Sequence, residues 1–107
     1  MGSVQHLNAD DFAGKTSTGV VLIDFWAEWC GPCRMLGPVL EQVATEVGDK
    51  ALIAKVNVDE AQEIAVKYGV RSIPAIFVLK DGNVVEQFVG VQDRTKLVNA
   101  INKALGS

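Results

Sequence analysis

Cys30 and Cys33 are the residues of this chain best suited to chemistry, and only Gly31 and Pro32 separate them. Two thiols at this spacing form a redox-active disulfide or help to bind a metal ion. On a helix, residues three apart lie about 5–6 Å from each other, close to the separation that a disulfide needs. A helix that begins at Cys30 also favours its thiolate, which is the nucleophilic form. The spacing predicts thiol–disulfide exchange, with Cys30 attacking and the deeper Cys33 resolving.

Two alternative interpretations of the cysteine pair fit the sequence less well. A structural zinc site needs a full tetrahedral ligand set, whereas the chain adds only one histidine, His6, in a different predicted strand. Two inert buried cysteines fit poorly with a rigid motif that begins a helix. We expect His6 at the surface or at a sheet edge, and not as a catalytic base.

The length of 107 residues predicts one domain, spanning residues 1–107. A composition of 49% hydrophobic and 21% charged residues is typical of a globular domain. The formal net charge of -3 provides no basic field, so neither nucleic acid nor a membrane surface is an expected partner. No apolar stretch approaches the ~20 residues of a membrane span, and residues 1–6 lack the pattern of a secretory signal. We expect a cytoplasmic protein, although a mature secreted form would lack a signal too.

The segments on either side of the cysteines have clear strand and helix patterns. Residues 20–26 form a near-continuous apolar run, which predicts a central strand covered on both faces. After the cysteines, the spacing of apolar residues predicts a long helix to about Val47, kinked by Pro38. Residues 51–58 predict a second buried strand.

The second half of the chain contains a strong hairpin signal, Asp81-Gly82, which predicts two antiparallel strands at 74–79 and 84–89. The other predicted elements are a strand from Val4 to Leu7 and helices capped at Asn8, at Asp59 with Gln62, and at Asp93. Strands joined through helices are expected to pair in parallel. The sequence therefore predicts an α/β fold: a mixed central sheet with helices on both faces and an antiparallel edge.

The run from Asp24 to Cys33 resembles the active-site segment of thioredoxins, above all in Trp29-Cys30-Gly31-Pro32-Cys33. The similarity covers nearly the whole chain and includes Pro38, Lys55, Ile73-Pro74 and Gly90. It implies a thioredoxin fold in a single domain, with a central mixed sheet of five strands flanked by four helices.

The resemblance also implies the activity and the partners. Thioredoxins are general protein disulfide reductases, and their redox centre would here be a Cys30–Cys33 disulfide, with no separate cofactor. The expected partners are disulfide-containing proteins and a thioredoxin reductase, a flavoprotein that returns electrons from NADPH or from ferredoxin. We expect a monomeric electron carrier that serves cell redox homeostasis.

Asp24 and Lys55 interrupt two otherwise apolar strands. An unpaired buried carboxylate is costly, so burial of Asp24 should raise its pKa, unless it ends a strand and reaches water. The resemblance assigns Asp24 as the buried group that accepts the proton of Cys33. Lys55 would approach Asp24 if the strands are adjacent, as the resemblance implies, and would otherwise extend to solvent.

Several residues near the cysteines are expected to bind substrate. The resemblance implies a cis bond before Pro74 and a backbone at Ile73 that hydrogen-bonds an extended substrate segment. Gly90, which has no side chain, would keep a groove open there, while Trp26 is expected in the core. The predicted docking surface comprises Trp29, Gly31, Pro32, Ile73, Pro74, Gly90 and Val91.

Two other functions remain open from the sequence. A thioredoxin-like domain of the secretory pathway would oxidise or isomerise disulfides, but Gly31-Pro32 argues against it because the residues between the cysteines influence the reduction potential. The fold could also serve as a non-catalytic binding subunit, such as a processivity factor. A reduction potential measured against glutathione would identify the first, and full function of a Cys30→Ser variant would identify the second.

Overall fold

Residues 3–106 are described by a computed structural model, in which they form five β-strands and four α-helices. The strands are β1 (Val4–His6), β2 (Val20–Trp26), β3 (Leu52–Asn57), β4 (Ala75–Lys80) and β5 (Asn83–Val89). The helices are α1 (Ala9–Thr16), α2 (Gly31–Val47), α3 (Gln62–Lys67) and α4 (Arg94–Leu105). Met1, Gly2 and Ser107, which belong to the predicted domain, lie outside the described residues.

The five strands form one sheet in the order β1-β3-β2-β4-β5. β3 pairs in parallel with β1 and β2, whereas β4 pairs antiparallel with β2 and β5. Helices α2 and α4 pack on one face of the sheet, and α1 and α3 pack on the other. The predicted mixed sheet of five strands with helices on both faces is confirmed.

The direction of β4 corrects one prediction. The sequence predicts a parallel strand after each helix, but β4 runs antiparallel to its neighbour β2. The six residues of α3 span only about 9 Å, whereas the seven residues of β2 span about 23 Å, so α3 is too short to return the chain. The chain stays at the end of the sheet where β3 finishes, and Ala75 lies opposite Phe25. Ile73 and Pro74 therefore reach the same end of the sheet as the cysteines.

The start of α3 corrects a second prediction. Ala61, and not Asp59, is the N-cap residue, and no described side chain caps this helix. Asp59 lies in the preceding turn, where its backbone N–H donates to Asn57 Oδ1 at 2.9 Å. Its carboxylate accepts a hydrogen bond from the indole of Trp29 instead.

Alternate residues of β2 face the two helical layers. Leu22 belongs to a buried cluster that includes Leu40 of α2 and Ile101 of α4. Phe25 belongs to a second buried cluster on the opposite face, with aromatic rings from α1, β4 and the end of α3. Because side chains alternate along a strand, Asp24 shares the face of Leu22 and lies under α2 and α4.

The predicted hairpin between β4 and β5 forms at the end of the sheet opposite the cysteines. Asp81 and Gly82 both have positive φ, at 51° and 85°, as this tight turn requires. Asp81 N–H donates to Gly19 O at 2.9 Å, and Asp81 Oδ1 accepts from Gly19 N at 2.8 Å. Lys80 Nζ donates to Ala104 O at 3.0 Å, which connects α4 to the same end.

The predicted cap of α1 provides a test of local stability. Asn8 Oδ1 accepts hydrogen bonds from the backbone of Asp10 and Asp11, and Asp11 Oδ1 accepts from Asn8 N at 2.8 Å. Asn8→Ala is expected to lower the free energy of unfolding by about 1 kcal/mol, measured by urea denaturation. Asn99→Ala, on an exposed part of α4, is the control and is expected to cost nothing because alanine favours the helix. Equal losses in both variants would contradict the capping role.

Candidate active site

The two cysteines form a disulfide at the start of α2. Cys30 and Cys33 are bonded to each other with their Cα atoms 5.3 Å apart. Cys30 is the N-cap residue, and the backbone N–H of Cys33 points at Cys30 Sγ across 3.2 Å. Cys30 is 5% exposed and Cys33 is fully buried. After reduction, the free N–H groups and the positive end of the helix would stabilise a thiolate on Cys30, while Cys33 remains shielded.

The loop before β4 lies against the disulfide. The carbonyl oxygen of Ile73 is 3.7 Å from Cys30 Sγ, and the Ile73–Pro74 peptide bond is cis, as predicted from the resemblance. Pro74 is buried and immediately precedes β4. Gly90 N–H donates to Pro74 O at 2.8 Å, which brings the end of β5 to the same place. Three residues that are predicted to bind substrate, Ile73, Pro74 and Gly90, therefore lie together beside the disulfide.

The other residues of the predicted docking surface surround the disulfide and are accessible. Gly31 and Pro32 are exposed in the first turn of α2, and Val91, which follows Gly90, is 44% exposed. Trp29 is 68% exposed, and its Nε1 donates to Asp59 Oδ2 at 2.9 Å. This hydrogen bond holds the indole beside Cys30.

Asp24 is fully buried, so the alternative in which it reaches water is wrong. Neither carboxylate oxygen has a hydrogen-bond partner among the described residues. Burial raises the pKa of the Asp24 carboxyl from 3.8 to about 7, and the positive charge of Lys55 partly opposes that rise. A carboxyl group with this pKa can hold or release a proton at neutral pH.

Lys55 lies beside Asp24 but contacts a different partner. The two residues are directly opposite in the parallel pairing of β2 and β3, so the predicted adjacency is confirmed. The Lys55 ammonium nevertheless sits over the Trp26 ring, 4.1 Å from its centroid, in a cation–π contact. Lys55 therefore acts on Asp24 through space, without a direct ion pair.

His6 is exposed on the edge strand β1, and its ring meets the edge of Trp26 at a centroid distance of 6.3 Å.

Sequence reasoning missed one residue of this site, Asp59. Asp59 has the spacing of a helix cap, and no local pattern indicates that an indole 30 positions earlier would take its carboxylate.

Within residues 3–106, no group of three or more His, Cys, Asp or Glu side chains is arranged to hold a metal ion. No helix in the same range is long and apolar enough to cross a membrane. The redox centre lies in the chain itself, as the disulfide between Cys30 and Cys33.

A disulfide at the start of a helix, facing a proline loop at the end of a mixed sheet, defines a thiol–disulfide oxidoreductase. Comparison with known proteins gives the same class. The family model named Thioredoxin matches residues 3–103. A thioredoxin of Bacillus subtilis is 57% identical over 94 residues, covering 88% of this chain and 90% of the relative. A thioredoxin of Chlamydia caviae is 48% identical over 100 residues, covering 94% and 97% of the two chains.

Comparison with solved structures also finds thioredoxins. A mutant thioredoxin from Halobacterium salinarum superposes with a TM-score of 0.88 at 40% identity, covering 96% of this chain and 91% of the other. A thioredoxin from Malassezia sympodialis gives a TM-score of 0.87 at 44% identity, covering 98% and 93%. The chain belongs to the thioredoxin family, and it is a protein disulfide reductase.

The buried carboxyl predicts a pH-dependent stability. Because the folded pKa of Asp24, about 7, lies above the unfolded value of 3.8, the native state loses stability as pH rises between these values. The full loss is roughly 4 kcal/mol above pH 8, at about 1.4 kcal/mol per unit. Asp24→Asn is therefore expected to stabilise the protein by about 3 kcal/mol more at pH 8.5 than at pH 5. Denaturant midpoints at both pH values measure this, with the exposed Asp49→Asn as control; a gain that does not change with pH would contradict it.

The hydrogen bond between Trp29 and Asp59 predicts an effect on substrate binding. Asp59→Ala is expected to free the indole and raise KM for a protein disulfide about threefold, or roughly 0.6 kcal/mol, with kcat unchanged. Asp59→Asn keeps an oxygen acceptor and should lie near wild type. Steady-state kinetics with a reducible protein provide the comparison. An unchanged KM for the Asp59→Ala variant would show that Asp59 has no role in substrate binding.

Proposed function

We propose that this protein reduces protein disulfides in two steps, in which Cys30 attacks and Cys33 resolves. The observation that carries this assignment is the asymmetry of the pair. Cys30 lies at the helix start, where the Cys33 N–H points at its sulfur, whereas Cys33 is fully buried. The sulfur at the helix start is the one that is stabilised as a thiolate and can meet a substrate.

The two steps balance two electrons. The Cys30 thiolate attacks one sulfur of the substrate disulfide, forming a mixed disulfide and releasing the other substrate sulfur as a thiolate. The Cys33 thiolate then attacks Cys30 Sγ and releases the second substrate sulfur. The substrate gains two electrons and becomes a dithiol, and the enzyme is left with its Cys30–Cys33 disulfide.

Asp24 is the proposed acceptor of the proton that Cys33 must lose. It lies on the face of β2 that α2 covers, two positions before Trp26, which packs against the buried cysteines. Burial raises the pKa of Asp24 to about 7, which suits a general base at neutral pH. Lys55 is proposed as the group that keeps this pKa from rising further, from its position over the Trp26 ring.

The docking surface is proposed to bind an extended substrate segment beside the disulfide. The Ile73 backbone would pair with the segment, as in the addition of a short strand. The exposed indole of Trp29 would add apolar contact area. The complete proposed surface is Trp29, Gly31, Pro32, Ile73, Pro74, Gly90 and Val91.

Membership of the family gives disulfide-containing proteins and a thioredoxin reductase as the general partners. We propose that the reductase is a flavoprotein supplied by NADPH or ferredoxin, and that the chain works as a monomer. A cytoplasmic location is proposed because a dithiol reductant is productive in a compartment where thiols are kept reduced.

The two cysteine roles are tested by trapping. Cys33→Ser is expected to accumulate mixed disulfides with protein substrates, because the second step is blocked, while Cys30→Ser should trap almost none. Non-reducing electrophoresis after incubation with cell proteins shows the adducts, and dithiothreitol should release them. Equal trapping by the two variants would refute the division of roles.

Insulin reduction by dithiothreitol tests the activity itself. Wild type should accelerate the reduction, and both cysteine variants should lose the acceleration. Full acceleration by Cys30→Ser would refute Cys30 as the attacking nucleophile, whereas a wild type that does not accelerate the reduction would support a non-catalytic binding subunit.

A further inference from the structure

A cleft lies on the α3 side of β5, outside the disulfide site. Because α3 is short, it leaves this face of β5 uncovered, and Val84 and Val89 are 47% and 60% exposed. Both residues pair with positions of β4 whose side chains are buried on the same face, Leu79 and Ala75. An uncovered apolar face of an edge strand is a surface on which another chain can pack.

Two adjoining cavities follow this face and form one cleft. Their volumes are about 380 Å³ and about 210 Å³, and Phe77 and Gln87 line both. We name it the β5 cleft. It is lined by side chains of α3, of the loop that follows α3, and of strands β4 and β5. These residues are Lys67, Arg71, Phe77, Val84, Gln87 and Val89.

The β5 cleft is continuous with the disulfide site at one end. Ser72 lines the cleft and is followed by Ile73, whose carbonyl oxygen is 3.7 Å from Cys30 Sγ. On the other wall, Val89 is followed by Gly90, whose N–H donates to Pro74 O. A substrate segment that meets Ile73 can therefore extend into the cleft.

The charges of the β5 cleft are of one sign. Lys67 and Arg71 line it, and within the described chain neither has a carboxylate within ion-pair distance. No acidic side chain of residues 3–106 lines the cleft; Glu86, in the middle of β5, lines a different cavity beside α4. An apolar floor with cations at its rim suits a chain that carries apolar and acidic side chains.

We propose that the β5 cleft binds the segment of a protein substrate that flanks its reactive cysteine, and that it favours apolar and acidic residues there. This inference rests on the proposed reduction of protein disulfides at Cys30. From Val89 to Val84 the strand rises roughly 16 Å, so the cleft accommodates about five residues of extended chain. Acidic residues about two to six positions from the substrate cysteine fall within its reach.

Short peptides with one cysteine, linked by a disulfide to 2-mercaptoethanol, test the proposal. Three peptides differ only in this flank, with aspartates before the cysteine, aspartates after it, or serines in both places. Wild type that has been reduced with dithiothreitol and then freed of it is expected to react, in a single turnover, with one aspartate peptide about fivefold faster than with the serine peptide, measured as second-order rate constants. The preference should shrink at about 0.5 M salt, which screens exposed charges.

The decisive variant is Lys67→Glu with Arg71→Glu, which should abolish the preference. Lys15→Glu with Lys50→Glu changes the net charge equally at exposed sites away from the cleft and should keep it. Bis(2-hydroxyethyl) disulfide, too small to reach the cleft, should be reduced equally by all three proteins.

The outcomes separate the two proposals. Failure of wild type to reduce the small disulfide would refute the proposed function. Normal reduction of it with no preference for aspartate would refute the cleft proposal alone, as would equal loss of preference in the control variant. The Lys67→Glu, Arg71→Glu variant could instead keep the peptide preference and be reduced more slowly by a reductase. That result would assign the cleft to the reductase and overturn its role in substrate binding.

Discussion

At the start of α2 a backbone N–H group lies against the sulfur of Cys30, and the rest of the site depends on this interaction. The helix can begin there because β2 ends at Trp26 and only a short turn intervenes. The Cys33 N–H points at Cys30 Sγ, so negative charge is favoured on one sulfur of the pair and not on the other. The residues that face the disulfide are proposed either to present that sulfur to a substrate or to assist the second sulfur, which is buried.

Asp24, the proposed proton acceptor for that buried sulfur, weakens the fold. Globular domains are stable by only about 5–15 kcal/mol, so a buried carboxyl with no hydrogen-bond partner among residues 3–106 is a large cost. Two apolar clusters, one on each face of β2, offset it. Lys55 is close enough to moderate the pKa, yet it is held by Trp26, so Asp24 remains free to exchange a proton.

Features with local causes were predictable from the sequence. The cysteine pair, the apolar run of β2, the caps at Asn8 and Asp93 and the Asp81-Gly82 hairpin depend on a few neighbouring residues, and all are present. The direction of β4 was not predictable because it depends on how far the short α3 carries the chain. The partners of Asp59 and Lys55 were missed for a related reason: each is an aromatic ring from a distant segment that outcompetes the local or charged partner.

Because β4 runs antiparallel to β2, the two ends of the sheet hold different groups of residues. The disulfide, Ile73 and Gly90 gather at one end, while Lys80 pairs with Val20 and holds Ala104 of α4 at the other. The C-terminal end of α4 is thereby fixed almost the full length of β2 away from the reactive sulfur. A fusion partner, surface or label attached through that end would face away from the docking surface, so the protein lends itself to immobilised reduction of disulfides.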